Sequence, residues 1–191
     1  MQINVWMNEQ QVINAAPSSE LYKGLLFVEK ATSKDEEGTR ALMHILYKNG
    51  TFIGTDGHRL HTYYAGEEIE SESPIFIEGH LYHFISKKKK VINLGHIGMQ
   101  SYPDFEFLFP DINPKKELFL SGIRDEEYVR VIKMMSENRG IKYNYFNDLP
   151  NESWNVKYYN EINADQLTED SKLIFHSENM TAVIMPFKIK E

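Results

Sequence analysis

The sequence predicts an α+β protein of two small domains, in which antiparallel hairpins alternate with short amphipathic helices. Three observations carry that expectation. Alternating apolar residues flank the tight-turn pair Asn49-Gly50, and helically spaced apolar residues recur at Leu21, Leu25 and Val28. The proline-bounded run Pro110-Asp111-Ile112-Asn113-Pro114 separates two stretches of similar make-up, giving expected domains of 1–112 and 113–191. At 191 residues the chain can bury the cores of two small domains without covalent staples.

The elements follow in order. Ser18 and Ser19 supply a cap for a helix whose apolar positions fall at i, i+4 and i+7. The polar run from Ser33 to Gly38 ends it. Ala41, Met43, Ile45 and Tyr47 alternate as a half-buried strand does, and Asn49-Gly50 turns that strand back, because both residue types tolerate positive φ. The return strand is Thr51 to Thr55, and His58 to Tyr64 is a further extended piece after Asp56-Gly57. Gly66 to Ser73 is acidic and polar, a loop, and Pro74 to Ile77 is a short strand.

Leu81, Phe84 and Ile85 stand at helical spacing. They predict a second helix ending in Lys87-Lys88-Lys89-Lys90, where cations complement the negative end of a helix dipole. Val91 to Leu94 and Phe105 to Phe109 are expected to be extended, as is Leu118 to Leu120. A third helix has Asp125, Glu126 and Glu127 in its first turn, Tyr128, Ile132 and Met135 on its apolar face, and Arg139-Gly140 at its stop. Asn155 caps a fourth, carrying Tyr158, Tyr159 and Ile162. The last hairpin runs from Leu173 to His176 and from Thr181 to Ile189, around Ser177-Glu178-Asn179.

Composition narrows the function classes. There is no cysteine, which excludes disulfides and thiolate metal sites and fits a reducing cytoplasm. No basic segment followed by an apolar run opens the sequence, and no apolar stretch approaches the roughly 20 residues a membrane helix needs. A soluble cytoplasmic protein with no membrane partner is expected. The net charge of −7 argues against a chain coated in nucleic acid, since phosphate binding relies on Lys and Arg. A local basic surface remains compatible with it, and candidates are the Lys87 to Lys90 run and the series Arg124, Arg130, Lys133, Arg139.

Three stretches, in order, resemble the bacterial DNA polymerase III beta subunit, the sliding clamp. Thr55-Asp56-Gly57-His58-Arg59-Leu60 matches that family's best-known hexapeptide. Tyr102-Pro103-Asp104-Phe105 with Pro110 looks like its Phe/Tyr-Pro-Asp-Tyr segment at the end of the middle domain. Val183-Ile184-Met185-Pro186-Phe187-Lys188 is similar to its C-terminal Val-Val-Met-Pro-Met-Arg, with Phe187 and Lys188 in place of the commoner Met and Arg. Trp154-Asn155-Val156-Lys157-Tyr158 also echoes the Phe-Asn-X-X-Tyr opening of the last clamp helix.

The resemblance is to the last two of three clamp domains, both trimmed, the second more severely. It implies a DNA-clamp-like fold with antiparallel sheets outside and two helices per domain on an inner face. It further implies a cleft for partner peptides of polymerases, loaders or repair factors. One wall would be Thr55, Gly57, His58, Arg59 and Leu60 with Pro110; the other would be Val183, Ile184, Met185, Pro186 and Phe187. Apolar walls accept a hydrophobic anchor, polar groups fix its backbone, and methionine suits a site taking several ligands.

Double-stranded DNA would meet Lys87, Lys88, Lys89, Lys90, Arg130 and Lys133 through its phosphates, without base reading. Two shortened domains per chain would require three subunits for a six-domain ring, and the lost length leaves smaller assemblies open. No catalytic residue, cofactor or metal is expected. His58 with His61 and His80 with His83 have i, i+3 spacing but lack a His-Glu-X-X-His pattern, and no phosphate loop or nucleophile elbow is present. The alternatives are a clamp-derived peptide-binding module that does not encircle DNA and, more remotely, a metal-dependent hydrolase.

Overall fold

Ser19 caps the first helix as its place ahead of an apolar-periodic run requires. In the computed structural model, α1 spans Glu20–Lys30, and the Ser19 hydroxyl accepts a hydrogen bond from the Tyr22 backbone N–H at 3.2 Å. The structure describes residues 10–14, 19–35, 37–66, 76–88, 91–109, 116–121, 144–158 and 172–185. The chain divides into two compact units: 1–57 with 61–103, and 58–60 with 104–191.

The first unit carries β1 (Gln10–Asn14), β2 (Ile45–Lys48), β3 (Thr51–Thr55), β4 (Arg59–Tyr64, of which Arg59 and Leu60 fall in the second unit), β5 (His80–Lys88) and β6 (Val91–Met99). Their order in the sheet is β1-β6-β5-β2-β3-β4. The β2–β3 hairpin closes at Lys48↔Thr51, with Asn49 at φ 50° and Gly50 at φ 71°, the left-handed pair that a two-residue turn demands. Helix α1 buries Gly24, Leu25, Phe27 and Val28 against the sheet. Its approach to β3 is set by glycine: a Cβ on Gly54 would lie 2.5 Å from the Val28 carbonyl oxygen. Phe52, Phe76 and Tyr82 form an edge-to-face aromatic stack, with centroids 4.7 and 5.0 Å apart, that fills the core beside them.

The second unit carries β7 (Lys116–Leu120), α2 (Asn144–Asn147), β8 (Trp154–Tyr158), β9 (Leu173–His176) and β10 (Met180–Ile184). These strands run in the order β10-β9-β8-β7, antiparallel throughout. Trp154, Val156, Phe175 and Phe146 are buried. The Trp154 indole N–H donates to the Pro150 carbonyl at 3.1 Å, which satisfies its polar edge inside the core.

Several expectations are overturned. The segment with Leu81, Phe84 and Ile85 is strand β5, not a helix. Leu81 and Tyr82 are adjacent and both fully buried, so period 2 is masked there. Pairing with β2 on one side and β6 on the other decides the outcome. Trp154 to Tyr158 likewise forms β8 rather than opening a helix capped by Asn155, so the two-helices-per-domain pattern fails at both places.

Residues 40–43 form a 3-10 turn before β2 begins at Ile45, and Glu106–Leu108 form another. In the second case the Asp104 carboxylate accepts from the Glu106 N–H at 3.0 Å, a local turn that competes with extension. Strand β1 and helix α2 have no counterpart in the sequence reading. The third expected helix (125–139), the proline-bounded run 110–114 and Pro74 lie outside the described residues.

Candidate partner-binding site

The second unit contains three residues, His58 to Leu60, whose chain neighbours on both sides belong to the first. Two polar links hold them there. The Met185 backbone N–H donates to the His58 carbonyl at 2.9 Å, so the end of β10 lies beside the start of β4. The Arg59 guanidinium pairs with the Asp148 carboxylate at 2.5 Å and lies over the Tyr145 ring, 4.5 Å from its centroid. Asp148 and Tyr145 come from α2 and the turn after it. Phe146 and Leu149, buried in the unit's core, anchor that corner.

Burial sorts the expected wall residues. Leu60, Val183 and Ile184 are covered by the chain itself, with exposures of 1%, 0% and 0%, so they are core residues and present no surface of their own. His58 is exposed and Met185 half-buried, and these two present accessible atoms. Arg59 is 9% exposed, its guanidinium engaged as above. Thr55 and Gly57 lie in the first unit, where the Gly57 N–H donates to the Thr55 hydroxyl at 3.1 Å and φ of 86° calls for glycine. Pro110, Pro186 and Phe187 lie outside the described residues. Sequence reading missed Asp148 and Tyr145; 89 positions separate Arg59 from Asp148, and no local pattern connects them.

Of the expected DNA contacts, Lys87 and Lys88 lie on β5, paired with Ile92 and Val91 of β6, and not at a helix end. The negative helix terminus invoked for them is therefore absent. Lys89, Lys90, Arg130 and Lys133 lie outside the described residues.

The histidines resolve into separate environments. His61 is fully buried and stacked on Phe27 at 4.1 Å, with Nδ1 2.7 Å from the Phe27 carbonyl oxygen, which fixes Nδ1 as the donor. His58, three residues earlier, is exposed. His80 and His83 lie on opposite faces of β5, as period 2 dictates. His80 Nδ1 meets His96 Nε2 at 2.6 Å, whereas His83 faces His44 edge-on with centroids 5.4 Å apart. Among the described residues no group of three His, Asp or Glu side chains is placed to hold a metal ion.

Burial lowers the His44 pKa below its ordinary value, and the neighbouring His83 adds to the effect. The folded state therefore holds His44 neutral where the unfolded chain starts to protonate it. Stability from this source is complete above about pH 6.5 and is lost as pH falls through the lowered folded value. A melting-temperature series from about pH 7.5 to about pH 5 should decline less steeply for His44→Phe than for the parent. Parallel curves would exclude His44 as a source of acid sensitivity.

No family model matches the sequence, and no curated protein matches it either. Solved structures do. A Helicobacter pylori beta clamp bound to a DNA ligase peptide is 14% identical, with a TM-score of 0.53 over 94% of this chain and 66% of that one. The DNA polymerase sliding clamp from Bacillus subtilis is 13% identical, with a TM-score of 0.54 over 100% of this chain and 67% of that one.

This chain has the bacterial sliding-clamp fold. A DNA polymerase III beta chain from Streptococcus pneumoniae aligns in the same way, at a TM-score of 0.52 and 11% identity. The chain spans about two thirds of the length of these sliding clamps. Antiparallel sheet dominates its clamp-like fold and the described helices are few. Among the described residues no helix is long and apolar enough to cross a membrane.

Proposed function

We propose that this protein is a sliding-clamp-like processivity or scaffold factor, a binding protein and not a catalyst, which receives partner peptides beside His58 and Met185. The Met185 N–H to His58 carbonyl hydrogen bond carries the reading. It joins the two segments that resemble the clamp's opposite cleft walls, although the sequence keeps them far apart. Leu60, Val183 and Ile184 are apolar core residues of those segments. Met185 supplies an adaptable side chain for a hydrophobic anchor.

In this reading residues 1–112 correspond to a clamp middle domain and 113–191 to a shortened last domain. The sheets form an outer layer and the helices, α1 among them, an inner one. Three chains would complete a six-domain ring in the cytoplasm. Lys87 and Lys88, with Lys89, Lys90, Arg130 and Lys133, would meet DNA phosphates without sequence preference, an interaction weakened by added salt.

The test is fluorescence anisotropy with a labelled DNA ligase peptide, the ligand class seen on the Helicobacter pylori clamp. Binding with a Kd on the order of micromolar is expected, and no binding at about 100 μM would reject the reading. Light scattering and DNA titration then separate the forms it can take. A peptide-binding monomer with no affinity for DNA would leave a peptide-binding module and remove the ring.

A further inference from the structure

Arg59 belongs to the hexapeptide on which the peptide site was inferred, and it brings a buried guanidinium to that segment. Here it is already matched. Its charge is paired with Asp148, its face lies on the Tyr145 ring, and only 9% of the residue is exposed. The Asp148 side chain is 30% exposed, so this carboxylate stands at the solvent edge of the pair, where a ligand carboxylate would have to displace it.

We propose that Asp148 is a specificity-determining residue: by neutralising Arg59 it tunes the site to peptides that bring an apolar anchor and no acidic group alongside. The inference rests on the peptide-site reading above and names the class of partner which that site takes. Discrimination of this kind works by penalty. An acidic peptide meets the Asp148 carboxylate as a like charge, and it gains no ion pair because the guanidinium is occupied. Removing the Asp148 charge inverts the preference. Arg59 then lacks the Asp148 countercharge, and a ligand carboxylate is the group that can replace it.

The experiment uses two acetylated, amidated peptides that share leucine and phenylalanine anchors and differ at one adjacent position, asparagine in one and aspartate in the other. Their Kd values are measured on the full chain, on Asp148→Asn, on Asp148→Ser and on the double variant Arg59→Gln/Asp148→Asn. The parent protein should bind the asparagine peptide at least as tightly as the aspartate one. Asp148→Asn should shift the ratio of the two by about tenfold toward aspartate, equal to about 1.4 kcal/mol, and salt should diminish the shift.

Asp148→Ser should behave likewise, which keeps the test decisive if one variant folds poorly by circular dichroism. In the double variant the shift should vanish, a result that a merely structural role for Asp148 does not produce. A parent preference for the aspartate peptide, or an unchanged ratio in folded Asp148 variants, overturns the inference and leaves the peptide site standing. Failure of every form to bind either peptide rejects the site itself, and the inference with it.

Discussion

Met185→Asp should weaken binding of a DNA ligase peptide by about a hundredfold or more, which is about 3 kcal/mol at the low end of the cost of a poorly compensated buried charge. The side chain is half-buried beside Ile184 and Val183, which are completely covered. A hydrophobic anchor docked there would desolvate the new carboxylate and offer it no cation.

The fold should survive. The hydrogen bond to the His58 carbonyl comes from the Met185 backbone amide, which any residue but proline provides. Met185→Leu keeps the volume and the apolar character and should bind within about threefold of the parent. Unchanged affinity in a folded Met185→Asp protein would place the ligand elsewhere.

The second large effect is on stability. Gly54→Ala should destabilise the first unit by about 2–4 kcal/mol, because overpacking in a rigid environment forces backbone displacement. The added methyl would lie 2.5 Å from the Val28 carbonyl oxygen, 3.1 Å from Val28 Cγ1 and 3.3 Å from Thr32 Cγ2. The first of these is backbone in α1 and cannot rotate away. A fall in melting temperature of at least about 8 °C is expected for a unit of this size, with earlier hydrogen exchange at α1 amides. A melting point within about 2 °C of the parent would show that α1 can ride higher on β3 at little cost.

What could be read from the sequence was mostly local. The Ser19 cap, the Asn49-Gly50 turn and the β3 limits depend on neighbouring residues, and all three appear where the pattern places them. So does the hairpin of β9 and β10, although β10 stops at Ile184 and residues 186–189 of its expected length lie outside the described residues. The failures occurred where tertiary pairing overrides local preference. His80 to Lys88 has apolar residues at helical spacing, yet two neighbouring strands claim its backbone. Trp154 to Tyr158 lies between β7 and β9 for the same reason.

At the candidate site, resemblance named His58, Arg59 and Met185, and the structure places all three in one unit. It could not show that Val183 and Ile184 are wholly covered, or that Asp148 engages Arg59. Burial and distant charge pairing depend on how the chain returns on itself, which periodicity does not encode.

The membership of His58 to Leu60 in the second unit has a consequence for how the protein is made. Synthesis delivers this tripeptide early, but its ion-pair partner Asp148 follows 89 positions later and Met185 later still. Until then this stretch lacks both of those links, and closing so long a loop is slow compared with forming a hairpin. A fragment starting at residue 104 would lack that stretch altogether. It should refold poorly unless a peptide spanning residues 55–64 is supplied in trans.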